Sequence, residues 1–200
     1  MTYKKINIGL DKEYWEHKYE NNTTGWNIGY VSTPIKNYID QLINKNIKIL
    51  IPGGGNSYEA EYLVNTNFKN VHVLDFAKQP LTNITKRLPQ FPKNQLIQQD
   101  FFEHNETYDL IIEQTFFCAL SPHLRQNYVD KMYDLLNKNG KLVGLLFDFE
   151  LTGDGPPFGG SLEEYIQLFN VKFKIKIIER SYNSIKERKG RELFFIFEKK

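Results

Sequence analysis

The sequence predicts an α/β fold built on a mostly parallel sheet with helices on both faces. Three observations predict it. Short apolar runs recur along the chain, each followed by a helix start. Pro, Gly and capping residues punctuate the runs at βα spacing. The chain closes with two β-rich segments that no helix separates.

The elements follow in order. Asp11 to Glu20 reads as a short helix with Trp15 and Tyr19 one turn apart on one side. Residues 21–32 form a loop containing Gly25, Trp26 and Gly29. Thr33-Pro34 is an N-cap followed by a first-turn proline, and predicts a helix to about Asn44. Lys48 to Ile51 is a buried strand ended by Pro52. Gly53-Gly54-Gly55 follows, and Ser57 caps a helix to about Asn65. Val71 to Leu74 is the second strand, with Asp75 at its carboxyl end. Lys78 to Arg87 is a helix, Gln95 to Gln98 the third strand, Tyr108 to Glu113 the fourth. Ser121-Pro122 opens a helix that Asn139-Gly140 ends. Leu142 to Phe147 is the fifth strand, and residues 152–160 are a Gly- and Pro-rich loop. Ser161 with Glu164 forms a capping box. Residues 171–180 and 193–197 are antiparallel neighbours joined by the polar stretch 181–191.

Composition bounds the function. A chain of 200 residues, 40% hydrophobic and 14% aromatic, is one domain able to bury a core. With 26 basic against 24 acidic residues, nothing favours nucleic acid or a membrane surface. One cysteine excludes a disulfide framework and a multi-cysteine zinc site, and no histidine pattern suggests another metal. Met1 to Asp11 lacks the features of a secretory signal, and no apolar run is long enough for a bilayer. A cytoplasmic, soluble protein is expected.

Four constellations could carry chemistry. The glycine turn bares backbone beside a helix N-terminus, where a ligand can approach closely; a tight βα turn would look the same. Asp75, about twenty residues on, is placed to accept both hydroxyls of a ribose, or to cap a helix. Together they point to an adenosine-containing cofactor without separating NAD from S-adenosylmethionine. Asp100-Phe101 could hold an adenine or merely cap a loop. The stretch Glu113 to Pro122 ends the fourth strand, where open α/β sheets bind ligands. Phe116 and Phe117 there could wall a pocket, although either alone reads more readily as core, and Cys118 reads as an inert buried thiol. The Tyr14-to-Lys18 spacing matches a dehydrogenase dyad but lies before the first strand, and is coincidental.

The chain resembles the S-adenosylmethionine-dependent methyltransferases that include thiopurine S-methyltransferase and the halide/thiol methyltransferases. The residues that carry the resemblance are Trp15-Glu16 through Gly25-Trp26 with Pro34, then Ile51-Pro52-Gly53-Gly54-Gly55 and Val73-Leu74-Asp75. Asp109 to Pro122 with Phe-Phe-Cys-Ala-Leu-Ser-Pro, Arg125, Gly155-Pro156-Pro157-Phe158 and Arg188-Lys189-Gly190-Arg191-Glu192 complete them. The resemblance implies a Rossmann-like class I methyltransferase: one domain, residues 1–200, whose seven-stranded sheet has an antiparallel last strand. Residues 1–32 would be a lid and 33–200 the catalytic core. Trp15, Tyr19 and Trp26 would cover the cofactor, which Gly53, Gly55, Asp75, Asp100, Phe101 and Gln114 would line. Arg125 and Gln114 would be catalytic, and Phe116, Phe117, Phe158 and Arg188 would shape a pocket for a small soft nucleophile. Three departures from the family stand out: Tyr19 for a tryptophan, Gly54 for a cysteine, and the pair Glu113-Gln114 for Asp-Tyr. The alternatives are a non-catalytic or differently specific cofactor-binding protein, and a nicotinamide-dependent oxidoreductase.

Overall fold

The computed structural model describes residues 9–151, 153 and 155–200. Most of the segment read for a secretory signal, and Thr152 and Asp154 of the Gly/Pro loop, lie outside the described residues.

Seven strands form one sheet in the order β3-β2-β1-β4-β5-β7-β6. They are β1 (Ile49–Pro52), β2 (Val71–Asp75), β3 (Leu96–Gln98), β4 (Tyr108–Gln114), β5 (Leu136–Phe147), β6 (Phe173–Arg180) and β7 (Glu192–Lys199). β1 to β5 pair in parallel, and β7 runs antiparallel to both of its neighbours. The central strands are apolar on both sides because both faces are covered. One core gathers Tyr128, Phe117, Phe169, Phe195 and Phe197. The other gathers Ile35, Ile39, Ile51, Leu63, Val73 and Ile84.

The helices are α1 (Lys12–Glu20), α2 (Thr33–Asp40), α3 (Tyr58–Asn65), α4 (Lys78–Arg87), α5 (Arg125–Asp134) and α6 (Leu162–Phe169). Asp11 caps α1 by accepting from the Tyr14 N–H at 2.9 Å.

Four local expectations are corrected. α2 stops at Asp40 rather than Asn44, because the Gln41 and Leu42 N–H groups close tight three-residue bonds on Tyr38 and Ile39. Its N-cap is Ser32 rather than Thr33. Residues 122–124 form a 3₁₀ turn, so α5 begins at Arg125, and it ends at Asp134 instead of Asn139. There the Tyr108 N–H takes the Leu135 carbonyl and Leu136 pairs with Tyr108, which draws the chain into β5. Asn139, at φ +62°, and Gly140 then form a kink inside β5, not a helix stop. The box at α6 is half formed: Ser161 accepts from the Glu164 N–H, but the Glu164 carboxylate turns to Arg125. The 181–191 join holds one 3₁₀ turn, Lys186–Arg188.

Candidate active site

The sheet order reverses between β1 and β4, and their carboxyl ends open onto a cavity of about 820 Å³. Such a crevice is where open α/β sheets bind ligands.

One end is built by the turn after β1. Gly53 and Gly55 have φ of +56° and +53°, the left-handed region that glycine enters without strain. A Cβ on Gly53 would drive into the Phe116 ring, and the Tyr19 hydroxyl lies against Gly55. Gly54 has no room either: its Cβ would sit 2.7 Å from Val73 Cγ1. Ser57 stands at the N-cap of α3 but in the left-handed region, with no side-chain capping bond, and its buried Oγ has no partner.

Asp75 ends β2 and is 7% exposed. Its Oδ2 accepts from the Gly55 N–H and its Oδ1 from the Ala77 N–H, both at 2.9 Å. Burial pushes its pKa up to about 6, the two N–H groups pull against that, and the Glu16 charge adds to it. Each carboxylate oxygen retains a lone pair toward the cavity for a hydroxyl donor. Asp100 is exposed, with Oδ1 on the Phe102 N–H at 2.8 Å. Phe101 is buried edge-on to Phe116, at 5.0 Å between ring centres.

Aromatic rings from α1 and the following loop cover this end. Trp26 meets Trp15 at 5.3 Å and Tyr19 at 5.8 Å, both edge to face. All three line the cavity. Burial and the nearby Asp75 charge raise the Tyr19 pKa, so its hydroxyl stays protonated. Three ties fix this segment. Glu16 accepts from the Lys78 N–H at 2.6 Å, supplying the cap that Ala77 cannot give α4. Arg188 donates to the Trp26 carbonyl at 2.9 Å. The Ser32 hydroxyl donates to Gln114 Oε1 at 2.7 Å. That last bond fixes the Gln114 amide, whose buried Nε2 has no protein partner.

Leu120, Phe147, Pro156, Pro157 and Arg188 also line the cavity.

A family model described as thiopurine S-methyltransferase matches residues 10–199. The chain belongs to the thiopurine S-methyltransferase family. It is therefore a methyltransferase, and the oxidoreductase alternative falls. The chain is 30% identical over 184 residues to a probable thiol methyltransferase 2 of Arabidopsis thaliana, with 89% of this chain and 81% of that one aligned. It is 29% identical over the same length to thiocyanate methyltransferase 1 of Brassica oleracea, with the same coverage. The crystal structure of Burkholderia thailandensis 1,6-didemethyltoxoflavin-N1-methyltransferase, with its substrate and S-adenosylhomocysteine bound, superposes with a TM-score of 0.79 at 11% identity. The match covers 100% of this chain and 91% of that one. It shares the class I methyltransferase fold expected from the sequence.

Within this family member, Trp15, Tyr19, Trp26, Gly53, Gly55, Asp75, Asp100, Phe101, Gln114, Phe116 and Arg188 all line this cavity. Three expected residues do not. Arg125, 5% exposed, pairs with Glu164 at 2.5 Å and donates to the Gly159 carbonyl at 2.6 Å, with its guanidinium over the Phe117 ring. It holds the 159–164 segment rather than a ligand. Phe117 is buried against Tyr128 at 4.9 Å, on the core side of the turn. Phe158 is fully buried, its N–H on the Cys118 carbonyl, behind the prolines that face the cavity.

Glu113 anchors the turn that carries Phe116 and Phe117. It is fully buried, and its Oε1 accepts both of their N–H groups, at 2.8 and 3.1 Å. Its Oε2 accepts from Tyr128 Oη at 2.5 Å. Burial raises its pKa to about 7. Of the unusual Glu113-Gln114 pair, then, only Gln114 alters the cavity wall. Cys118 borders the cavity, but burial pushes its thiol well up and its Sγ faces the Thr115 carbonyl. His123 is bound to Ser121 Oγ at 2.7 Å, away from the cavity lining. Sequence reasoning missed Glu16, Ser32 and Glu59. Glu16 and Ser32 act across 62 and 82 residues, and no local pattern marks such contacts.

Proposed function

We propose that the chain transfers a methyl group from S-adenosylmethionine to a small soft nucleophile: a thiol, sulfide, thiocyanate or halide. The observation that carries the reading is one cavity lined both by the bare Gly53–Gly55 backbone with Asp75 and by the apolar Phe147 and Pro156–Pro157. The residues present fit the cofactor. The bare Gly53–Gly55 backbone gives close approach, Asp75 suits a ribose diol, and the unpartnered Gln114 Nε2 and Ser57 Oγ await a polar ligand.

S-adenosylmethionine, when bound, supplies a methyl group on a positively charged sulfur. Asp75 would hold the sugar, Asp100 and Phe101 the base, and the Trp15, Tyr19 and Trp26 faces the positive charge, at about 0.5–2 kcal/mol per ring. Residues 9–32 act as a lid that excludes water. Holding both reactants in line can remove roughly 7–11 kcal/mol of barrier. A displacement of this kind asks the protein for alignment and dryness more than for proton transfer.

The test is direct. S-adenosylhomocysteine raises the melting temperature, Asp75→Ala abolishes the rise, and methyl-labelled cofactor marks a thiol, thiocyanate or iodide. Stabilisation by neither cofactor form ends the proposal. Cofactor binding without transfer to any acceptor favours the non-catalytic alternative.

A further inference from the structure

The cavity holds a second buried carboxylate that the reading above does not use. Glu59 lies in the first turn of α3, is 7% exposed and lines the cavity. Arg188 lines the same cavity, and its charge, that of Arg87 on α4 and the Ser32 backbone all favour the ionised carboxylate. Arg188 also pairs with Glu192, 3.6 Å away and 2% exposed, and donates to the Trp26 carbonyl. Burial raises its pKa, while its own N–H and the Arg188 charge work to keep it ionised. Cys118 is held protonated, and no histidine lines the cavity among the described residues.

We propose that Glu59 is the general base that ionises a neutral thiol acceptor, with Arg188 beside it stabilising the thiolate. This rests on the methyl-transfer reading and assigns the acceptor class more narrowly: protonated thiols are substrates, not only anions. The thiol S–H bond breaks and its proton passes to Glu59. The sulfur's electron pair forms the new S–CH₃ bond. The methyl's old bond breaks with its pair remaining on the donor sulfur, which loses its charge. Glu59 then returns the proton to water. Thiocyanate and iodide carry no proton and need no such step.

A free thiol of pKa about 8.5 is only about 3% ionised at pH 7, so losing the base should slow thiol methylation about 30-fold there. The experiment measures transfer from labelled cofactor to cysteine, whose thiol has that pKa, and to thiocyanate between pH 6 and 9, in the wild type and in Glu59→Gln. The expected result is an about 30-fold deficit of the variant on the thiol at pH 7. That deficit shrinks about tenfold per pH unit toward pH 8.5, and the variant's thiol-to-thiocyanate ratio recovers with it. S-adenosylhomocysteine should still raise the variant's melting temperature. A deficit independent of pH, equal on both acceptors, or accompanied by loss of that rise overturns the assignment and makes Glu59 a cofactor or structural residue. Should the variant not fold, the wild type alone decides. Its thiol rate must hold between pH 8 and 7, where the free thiolate fraction falls about eightfold, and a thiol rate that falls in step with that fraction refutes the base. Transfer to thiocyanate but not the thiol refutes it too. Transfer to neither refutes the proposed function itself.

Discussion

Asp75→Asn should make the ligand-free protein no less stable while destroying its response to cofactor. The native carboxyl is raised from 3.8 to about 6 by burial. At about 1.4 kcal/mol per pH unit, its ionised form above pH 6 opposes folding by roughly 3 kcal/mol. The sign follows from the direction. A carboxyl whose folded pKa is raised contributes stability below its unfolded pKa, and that contribution is lost as pH rises through about 6. Asparagine removes the charge but turns one acceptor into a donor against either the Gly55 or the Ala77 N–H, a loss of about 1–3 kcal/mol. The balance at pH 7.5 is between zero and about +2 kcal/mol, or up to ~8 °C in melting temperature for a domain of this size. The ligand response runs the other way. At a hundredfold excess over Kd, S-adenosylhomocysteine should add about 2.7 kcal/mol to the wild type, growing as pH rises from 5 to 7, and nothing to the variant. Calorimetry across that range checks both. A ligand-free variant clearly less stable than the wild type at pH 7.5 refutes the burial argument. A retained ligand shift refutes the ribose assignment.

The remaining predictions concern the turn, the clamp and the lid. Gly53→Ala puts a Cβ into the Phe116 ring at φ +56° and should cost at least about 1–2 kcal/mol in urea unfolding, with cofactor affinity down tenfold or more. Arg125→Met strands the Glu164 carboxylate and frees the Gly159 carbonyl; it should lower the melting temperature by several degrees yet leave S-adenosylhomocysteine affinity within about threefold by calorimetric titration. Trp15 and Trp26 are the chain's two tryptophans and both line the cavity, so cofactor binding should change intrinsic fluorescence. Glu16→Gln weakens the cap on α4 by about 0.3–1 kcal/mol and should speed cofactor release in stopped-flow fluorescence.

What the sequence made legible was local. Asp75 could be named because a strand end and a glycine turn are both read from neighbours in the chain. The parallel strands and the antiparallel C-terminal pair followed from βα alternation and a helix-free join. Side-chain direction was another matter. Phe116 and Phe117 are adjacent, yet one faces the cavity and the other the core. The turn that carries both is held by Glu113, whose Oε1 gathers both N–H groups from within the strand, a contact no local pattern marks. Arg125 went astray for a related reason. A 3₁₀ turn at residues 122–124 precedes α5, and its side chain is drawn back to Glu164, a residue the sequence assigned to capping. Asn139-Gly140 carries a helix-stop signal, but pairing of Leu136 with Tyr108 reaches the chain first.

The three ties of the lid are unequal in consequence. Arg188 joins it to the 181–191 stretch and Ser32 to the end of β4, whereas Glu16 joins it to the turn that begins at Asp75. Glu16 is also one of the charges that raise the Asp75 pKa. The group that ties down the proposed lid therefore makes Asp75 harder to ionise. Two hydroxyl donors at Asp75, as the proposed ribose contact would supply, would favour its ionised form and relieve that conflict. On the proposed function, a docked N-terminal segment and a bound sugar then support each other. This coupling arises because two carboxylates, 59 residues apart in the chain, are brought together at one helix N-terminus.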